Sequence, residues 1–169
     1  MPTAIRRIRA DDGPALRALR LRALQTDPTA FGSSYAREAD RPDGEWVERA
    51  LQGSIGNEQS LFVAESGGEL VGLVGAYTPE DEPWARHVIT MWVAPEVRRT
   101  GVGRQLVVAI LAWCRQVGAD EITLWVNESN QAAISLYEQH GFVLSDIAQP
   151  LPSDDRITER LMILEPVGR

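Results

Sequence analysis

The stretch Val93–Val107, "VAPEVRRTGVGRQLV", sets Arg98, Arg99 and Arg104 around Gly101 and Gly103, between an apolar run and an apolar helix pattern. Glycine is favoured where backbone must turn left-handed or come very close to something. A helix start adds unpaired N–H groups and the positive end of its dipole. In Arg98-x-x-Gly101-x-Gly103, successive N–H groups can point into one concavity while guanidinium groups neutralise charge at its rim. That chemistry suits a polyanion, most simply a phosphate or pyrophosphate. The plain alternative is a loop that caps a helix.

Two other phosphate motifs do not fit. A Walker loop needs Lys and then Ser or Thr after its last glycine, where this chain has Arg104 and Gln105. A dinucleotide fingerprint needs a third glycine at the position of Leu106, and lies near the start of a βαβ domain rather than past mid-chain. A second constellation, "NESNQAAISLYEQHGF", begins at Asn127. Asn130, Ala133 and Tyr137 fall on one face of a helix. Gly141 and Phe142 follow at the helix stop.

These residues need elements to hold them. Thr3–Arg9 reads as a strand. "DDGPALRALRLRAL" reads as a helix, with acids and Pro14 at its start and Leu16, Leu19 and Ala23 as its apolar stripe. An irregular stretch rich in turn formers follows, then a helix at Glu45–Leu51. "LFVAESGGELVGLVGAY" is a hairpin signal, because Gly67-Gly68 suits a primed turn. "HVITMWVAP" is a strand leading into the glycine turn. The helix beyond it runs to about Val117, with Leu106, Ile110, Trp113, Cys114 and Val117 inward. "EITLWV", a helix over Asn130–His140, and the strands "FVLSDIA" and "RITERLMIL" complete an α/β order with a mixed sheet.

The chain has 169 residues, 44% of them hydrophobic, which is enough for one well-filled core, and we read 1–169 as one domain. No apolar run reaches the ~20 residues of a membrane span. The start "MPTAIRRIRADD" has no apolar signal-peptide core. The single Cys114 excludes an internal disulfide framework and fits a cytoplasmic setting. A net charge of -7 argues against nucleic acid. An acidic body would draw a cationic small molecule, although solubility alone explains it equally well. All seventeen basic residues are Arg, so a Lys nucleophile is excluded.

The glycine turn with its preceding strand, and the Asn-to-Phe helix one strand later, resemble the GCN5-related N-acetyltransferase (GNAT) family. The resemblance spans most of the chain, most specifically Val88–Phe142. It implies a GNAT-like fold: a mixed, mostly antiparallel sheet of six to seven strands flanked by about four helices. It also implies acetyl-CoA as acetyl donor. Its pyrophosphate would be cradled by Arg98, Arg99, Thr100, Gly101, Val102, Gly103 and Arg104. Its pantetheine arm would lie along Met91-Trp92-Val93, which needs a splay or bulge to free backbone groups, one of them an oxyanion donor. Asn130 matches a cofactor-contacting position and suits an N-cap equally well. Tyr137 matches the general acid that protonates the departing thiolate, its plain reading being a core aromatic.

In the family a primary amine attacks the thioester directly in a ternary complex. The base that takes the amine's proton is not singled out by sequence: Glu38, Glu80, His87 and a water chain are all candidates. Phe31, Tyr35 and Glu38, in "DPTAFGSSYAREAD", fall in a segment that lines the family's acceptor pocket. "PEDEP" and "PLPSDD" could add negative potential there for a cationic small amine. Cys114 reads as a packed hydrophobe, His140 as structural, and no cluster has metal-ligand spacing. The alternatives are a non-catalytic acyl-CoA-binding sensor and a protein N-terminal acetyltransferase with an open acceptor groove. A homodimer is possible through "RLMIL", whose plainer use is in the monomer's own sheet.

Overall fold

The apolar alternation of the strand candidates folds into a seven-stranded sheet in the computed structural model, which describes residues 2–165. Residue 1 and residues 166–169 of the expected 1–169 unit lie outside the described residues. The elements run β1 (Thr3–Arg7), α1 (Gly13–Thr26), α2 (Tyr35–Ala39), α3 (Asp43–Ser54), β2 (Gln59–Ser66), β3 (Glu69–Tyr77) and β4 (Ala85–Val93). They continue with α4 (Val102–Gln116), β5 (Glu121–Asn127), α5 (Gln131–Glu138), β6 (Val143–Leu151) and β7 (Asp154–Leu164). The strand order is β1-β2-β3-β4-β5-β7-β6, and only β4 and β5 pair in parallel. Five α-helices stand where about four were expected. The extra one, α2, is a five-residue turn capped by Ser34, too short to show a periodic pattern.

The β2–β3 turn has positive φ at both Gly67 and Gly68, as a primed turn requires. Helices cover both faces of the sheet. Odd-numbered β2 residues face α3: a Cβ at Gly53 would strike the Leu61 side chain. Even-numbered ones face α4: a Cβ at Gly72 would touch Leu106 and Ala64. On α4 the inward residues Leu106, Ile110, Trp113 and Cys114 are all buried. Each large apolar side chain of this kind contributes roughly 1.5–3 kcal/mol. β7 is paired on both edges, so "RLMIL" is used inside this chain's own sheet.

Two irregularities in β4 shape the site. Its pairing with β5 stops after Val88, while β5 goes on pairing with β7 as far as Asn127, so the two strands splay apart beyond that point. Between Ile89 and Trp92 the register with β3 also slips, since two β4 residues oppose Val74 alone. At this bulge Thr90 has φ 58°, a left-handed conformation that costs a β-branched residue on the order of 1–3 kcal/mol.

Candidate active site

The glycine turn is formed as a nest. Gly101 caps α4 with φ 91°, which its missing Cβ permits, and Arg99 also takes a positive φ of 63°. The first helical bond runs from Gln105 N–H to Gly101 O, at 3.0 Å. The backbone N–H groups from Arg99 to Arg104 have no hydrogen-bond partner among the described residues. Gly103 forms part of the floor. A Cβ there would stand 3.6 Å from Met91 Cε and 3.7 Å from Val93 Cγ2, ordinary contacts, so glycine keeps open space rather than avoiding a clash.

A cleft of about 440 Å³ starts at this floor and follows the splay. Met91, Trp92 and Val93 form one wall, Arg98 and Arg99 the rim, and Asn130, Ala133 and Leu136 the opposite side. Ala94 N–H donates to Val71 O, and Arg98 Nε donates to Val93 O at 2.9 Å, so Val93 turns its carbonyl away from β3. By the two-residue period Met91 does the same, leaving strand backbone exposed towards the cleft. The unpaired N–H run, the Cβ-free floor and the free strand edge together fit a pyrophosphate with a long amide-bearing arm.

The side chains of the turn divide their tasks. Arg98 Nη2 donates to Asp27 Oδ2 at 2.6 Å, and the same oxygen accepts from Trp92 Nε1 at 2.7 Å, so Arg98 charge is already offset. Thr100 Oγ1 donates to Val97 O. Val102 is buried in the core, and Arg104 faces a separate depression beside Ile5 and Phe62. These three would serve an anion through N–H groups rather than side chains. Asn130 caps α5, its Oδ1 accepting from Ala133 N–H at 3.1 Å, while lining the cleft as well. Tyr137 is buried edge-on to Phe142, directly behind Leu136, which lines the cleft. Burial pushes its phenol pKa upward, and its hydroxyl has no partner among the described residues.

Beyond the bulge, on the α1–α3 face, lies a hollow of about 330 Å³ that meets the cleft at Ala30. Phe31 and Trp125 give it aromatic walls, and Gln149, Pro152 and Glu159 come from the last two strands and their turn. Burial raises the Glu159 pKa, partly offset by Gln149 Nε2 donating at 2.6 Å. His87 also faces this hollow, its Nδ1 2.8 Å from Thr123 Oγ1, and burial lowers its pKa to about 4. It is therefore neutral near pH 7.

Sequence reading marked Phe31 and His87 here and missed Glu159, Gln149 and Trp125. Glu159 stands among Arg156, Thr158 and Arg160 in the closing strand, so no local pattern set it apart. Tyr35 is exposed, and neither it nor Glu80 lines this hollow. Glu38 is 2% exposed and turned into an ion-pair cluster. Arg20 Nε and Nη2 donate to its two oxygens at 3.2 and 3.0 Å, and Arg49 Nη1 stands 3.5 Å away. Burial opposes ionisation of Glu38, but the Arg20 hydrogen bond and the two positive charges outweigh it and hold the pKa low. Arg20 Nη1 also donates to Thr90 Oγ1 at 2.7 Å, which ties the strained bulge to this cluster. His140 Nδ1 contacts Leu136 O, and burial raises the Cys114 thiol to about 12, as packed residues would show.

The description of the family model that matches residues 20–142 is "Acetyltransferase (GNAT) family". A mycothiol acetyltransferase of Thermobispora bispora is 37% identical over 136 residues, 73% of this chain and 46% of that protein. N-acetyltransferase 8 of Rattus norvegicus is 31% identical over 72% of this chain and 48% of its own length. The chain thus spans about half the length of these curated relatives. Among solved structures, a GNAT-family acetyltransferase from Streptococcus pneumoniae superimposes with a TM-score of 0.82 at 22% identity, covering 98% of this chain and 100% of that one. YncA of Salmonella typhimurium, solved with its cofactor acetyl-CoA, gives 0.81 at 16%, covering 100% and 96%. Match and fold agree: the chain belongs to the GNAT family of acetyltransferases.

Proposed function

We propose that this chain is an N-acetyltransferase that moves an acetyl group from acetyl-CoA directly to the primary amine of a small molecule. The observation that carries the reading is the unpaired N–H run at Arg99–Arg104 continuing into the exposed edge of β4, with the second hollow at its far end. Acetyl-CoA supplies an activated thioester when bound. The N–H groups of the turn and the Arg99 guanidinium hold its pyrophosphate, Met91 and Val93 pair with its amides, and Asn130 borders it. One N–H of this exposed edge stabilises negative charge developing on the carbonyl oxygen.

Glu159 draws the ammonium form of the acceptor into the hollow and takes its proton, because an amine is mostly protonated near neutral pH. As the amine nitrogen bonds to the acetyl carbon and the carbon–sulfur bond breaks, Tyr137 gives its proton to the leaving sulfur. Its raised pKa keeps the phenol protonated until then. A small acceptor is favoured over a protein chain because the site is bridged. Ser153 Oγ donates to Phe31 O at 2.6 Å, linking the β6–β7 turn to the loop before α2.

Calorimetry with acetyl-CoA and with 3′-dephospho-CoA, on the wild type and on Gly101→Glu, tests this reading. The turn should bind both ligands, and the variant should bind acetyl-CoA at least about a hundredfold more weakly, since charge-assisted bonds are replaced by like-charge repulsion. A wild type that binds neither ligand would sink the proposal.

A further inference from the structure

Strand β4 changes sides at Thr90. Ile89 pairs with Gly75, but Trp92 pairs with Leu73 and Val93 with Gly72, one residue out of step. From an inserted residue onward, side chains exchange faces of the sheet and backbone groups exchange the strand they point to. Without the slip, Met91 and Val93 would share the face of Ile89 and turn their N–H and C=O groups to β3. With it, both side chains lie under Gly103 on the α4 face, and Ala94 N–H rather than Val93 reaches Val71 O. Trp92 comes round to α1, where its Nε1 donates to Asp27. The exposed edge that borders the donor cleft is therefore a product of the bulge.

The pivot of the bulge is held from α1. Thr90 takes φ 58° at a place where glycine is the usual residue. Both branches of its side chain are seated. Its Cγ2 lies 3.4 Å from where a Cβ on Gly75 would stand, and its Oγ1 accepts from Arg20 Nη1 at 2.7 Å. Arg20 is itself fixed. Glu38 accepts from its Nε and Nη2 at 3.2 and 3.0 Å, and its guanidinium carbon stands 4.5 Å from the Phe31 ring centroid. A guanidinium is a rigid planar fork, so capture of two of its nitrogens sets the direction of the third.

We infer that Arg20 is a positioning residue: through Thr90 it holds the bulge in the conformation that aims a β4 N–H group at the acetyl carbonyl of the donor, without touching the donor itself. The inference rests on the acetyl-transfer reading. It divides the labour between the glycine turn, which supplies donor affinity, and the Glu38–Arg20–Thr90 tie, which supplies alignment. The same guanidinium lines the acceptor hollow, so one side chain sets both the wall that meets the amine and the strand that presents the thioester.

The carbon resonance of the acetyl carbonyl, from acetyl-CoA isotopically labelled at that atom, tests this with no acceptor present. A hydrogen bond to the carbonyl oxygen moves the resonance downfield of its position in free acetyl-CoA. The wild-type complex should show that displacement. Thr90→Val keeps the branched shape but drops the hydroxyl, and should lose most of it, whereas Thr90→Ser should retain it. Arg20→Gln should match Thr90→Val in the resonance while costing far more in urea unfolding, because Glu38 loses its partner. If that variant does not fold, Thr90→Val decides. Acetyl-CoA affinity, measured by calorimetry, should stay within about threefold of wild type in every folded variant. A resonance unmoved by Thr90→Val, an equal loss in Thr90→Ser, or a wild-type complex without displacement would overturn the inference while leaving donor binding intact. A wild type that binds no acetyl-CoA would remove the acetyl-transfer reading, and the inference with it.

Discussion

The donor cleft and the acceptor hollow lie on either side of Thr90 and are built in opposite ways. The cleft is mostly local: its rim and floor come from Arg98–Gly103, and its recognition groups are backbone N–H groups that hardly depend on side-chain identity. The hollow is assembled from distant parts of the chain, with Arg20, Phe31, Trp125, Gln149 and Glu159 drawn from α1, β5, β6, β7 and a loop. A site made of backbone keeps one ligand, while a site made of scattered side chains can change its ligand without disturbing the first. Fold and donor site alone do not define an acceptor.

The sharpest way to break this comparison is to disturb the scattered side and watch the local one. Glu38→Gln takes the buried carboxylate away from the half-buried Arg20 guanidinium and should cost about 3 kcal/mol in urea unfolding at neutral pH. Because the Glu38 pKa is lowered in the fold, its contribution is present above the ordinary carboxylate range and lost as pH falls. The gap between variant and wild type should therefore narrow in acid. Acetyl-CoA affinity should stay unchanged, and its collapse would show that the two sides are not separate.

Tyr137→Phe sharpens the comparison at the point where chemistry joins the two sides. Removing a hydroxyl that has no partner among the described residues should leave stability and acetyl-CoA affinity as they were. It should lower kcat by about a hundredfold in a thiol-release assay. An undiminished kcat would remove Tyr137 from the reaction.

Glu159→Gln gives a small stability effect with a clear sign. The raised pKa of Glu159 means that its contribution is present below its ordinary value of 4.5 and lost as pH rises through the folded value. The variant should therefore melt at a higher temperature than wild type near pH 7, and the difference should fade in acid. The acetylation rate should lose its acid limb in the same variant, whereas a retained limb would assign the proton to another group.

How much was legible in the sequence follows the same division. Gly101, Gly103 and Asn130 could be read because turn, nest and N-cap chemistry is encoded within a few neighbouring residues. The splay of β4 from β5 was expected as a requirement, but its place after Val88 depends on pairing across the sheet. The Thr90 bulge and its tie to Arg20 join residues 70 positions apart, and no local pattern announces them. Glu38 was marked for the acceptor pocket, yet the partners that bury it, Arg20 and Arg49, sit on two other helices. Glu159 reads as a solvated strand residue until β6 and its turn cover it.

The central claim is that backbone N–H groups above a side-chain-free floor hold the donor. Gly103→Ala tests it most directly, with acetyl-CoA calorimetry and urea unfolding run on the same preparation. A Cβ at this position meets only ordinary contacts, and alanine is favoured over glycine in a helix by about 0.5–1 kcal/mol. The account predicts a protein as stable as wild type or slightly more so, binding acetyl-CoA about tenfold more weakly. Unchanged affinity in a folded variant would contradict it and place the donor elsewhere.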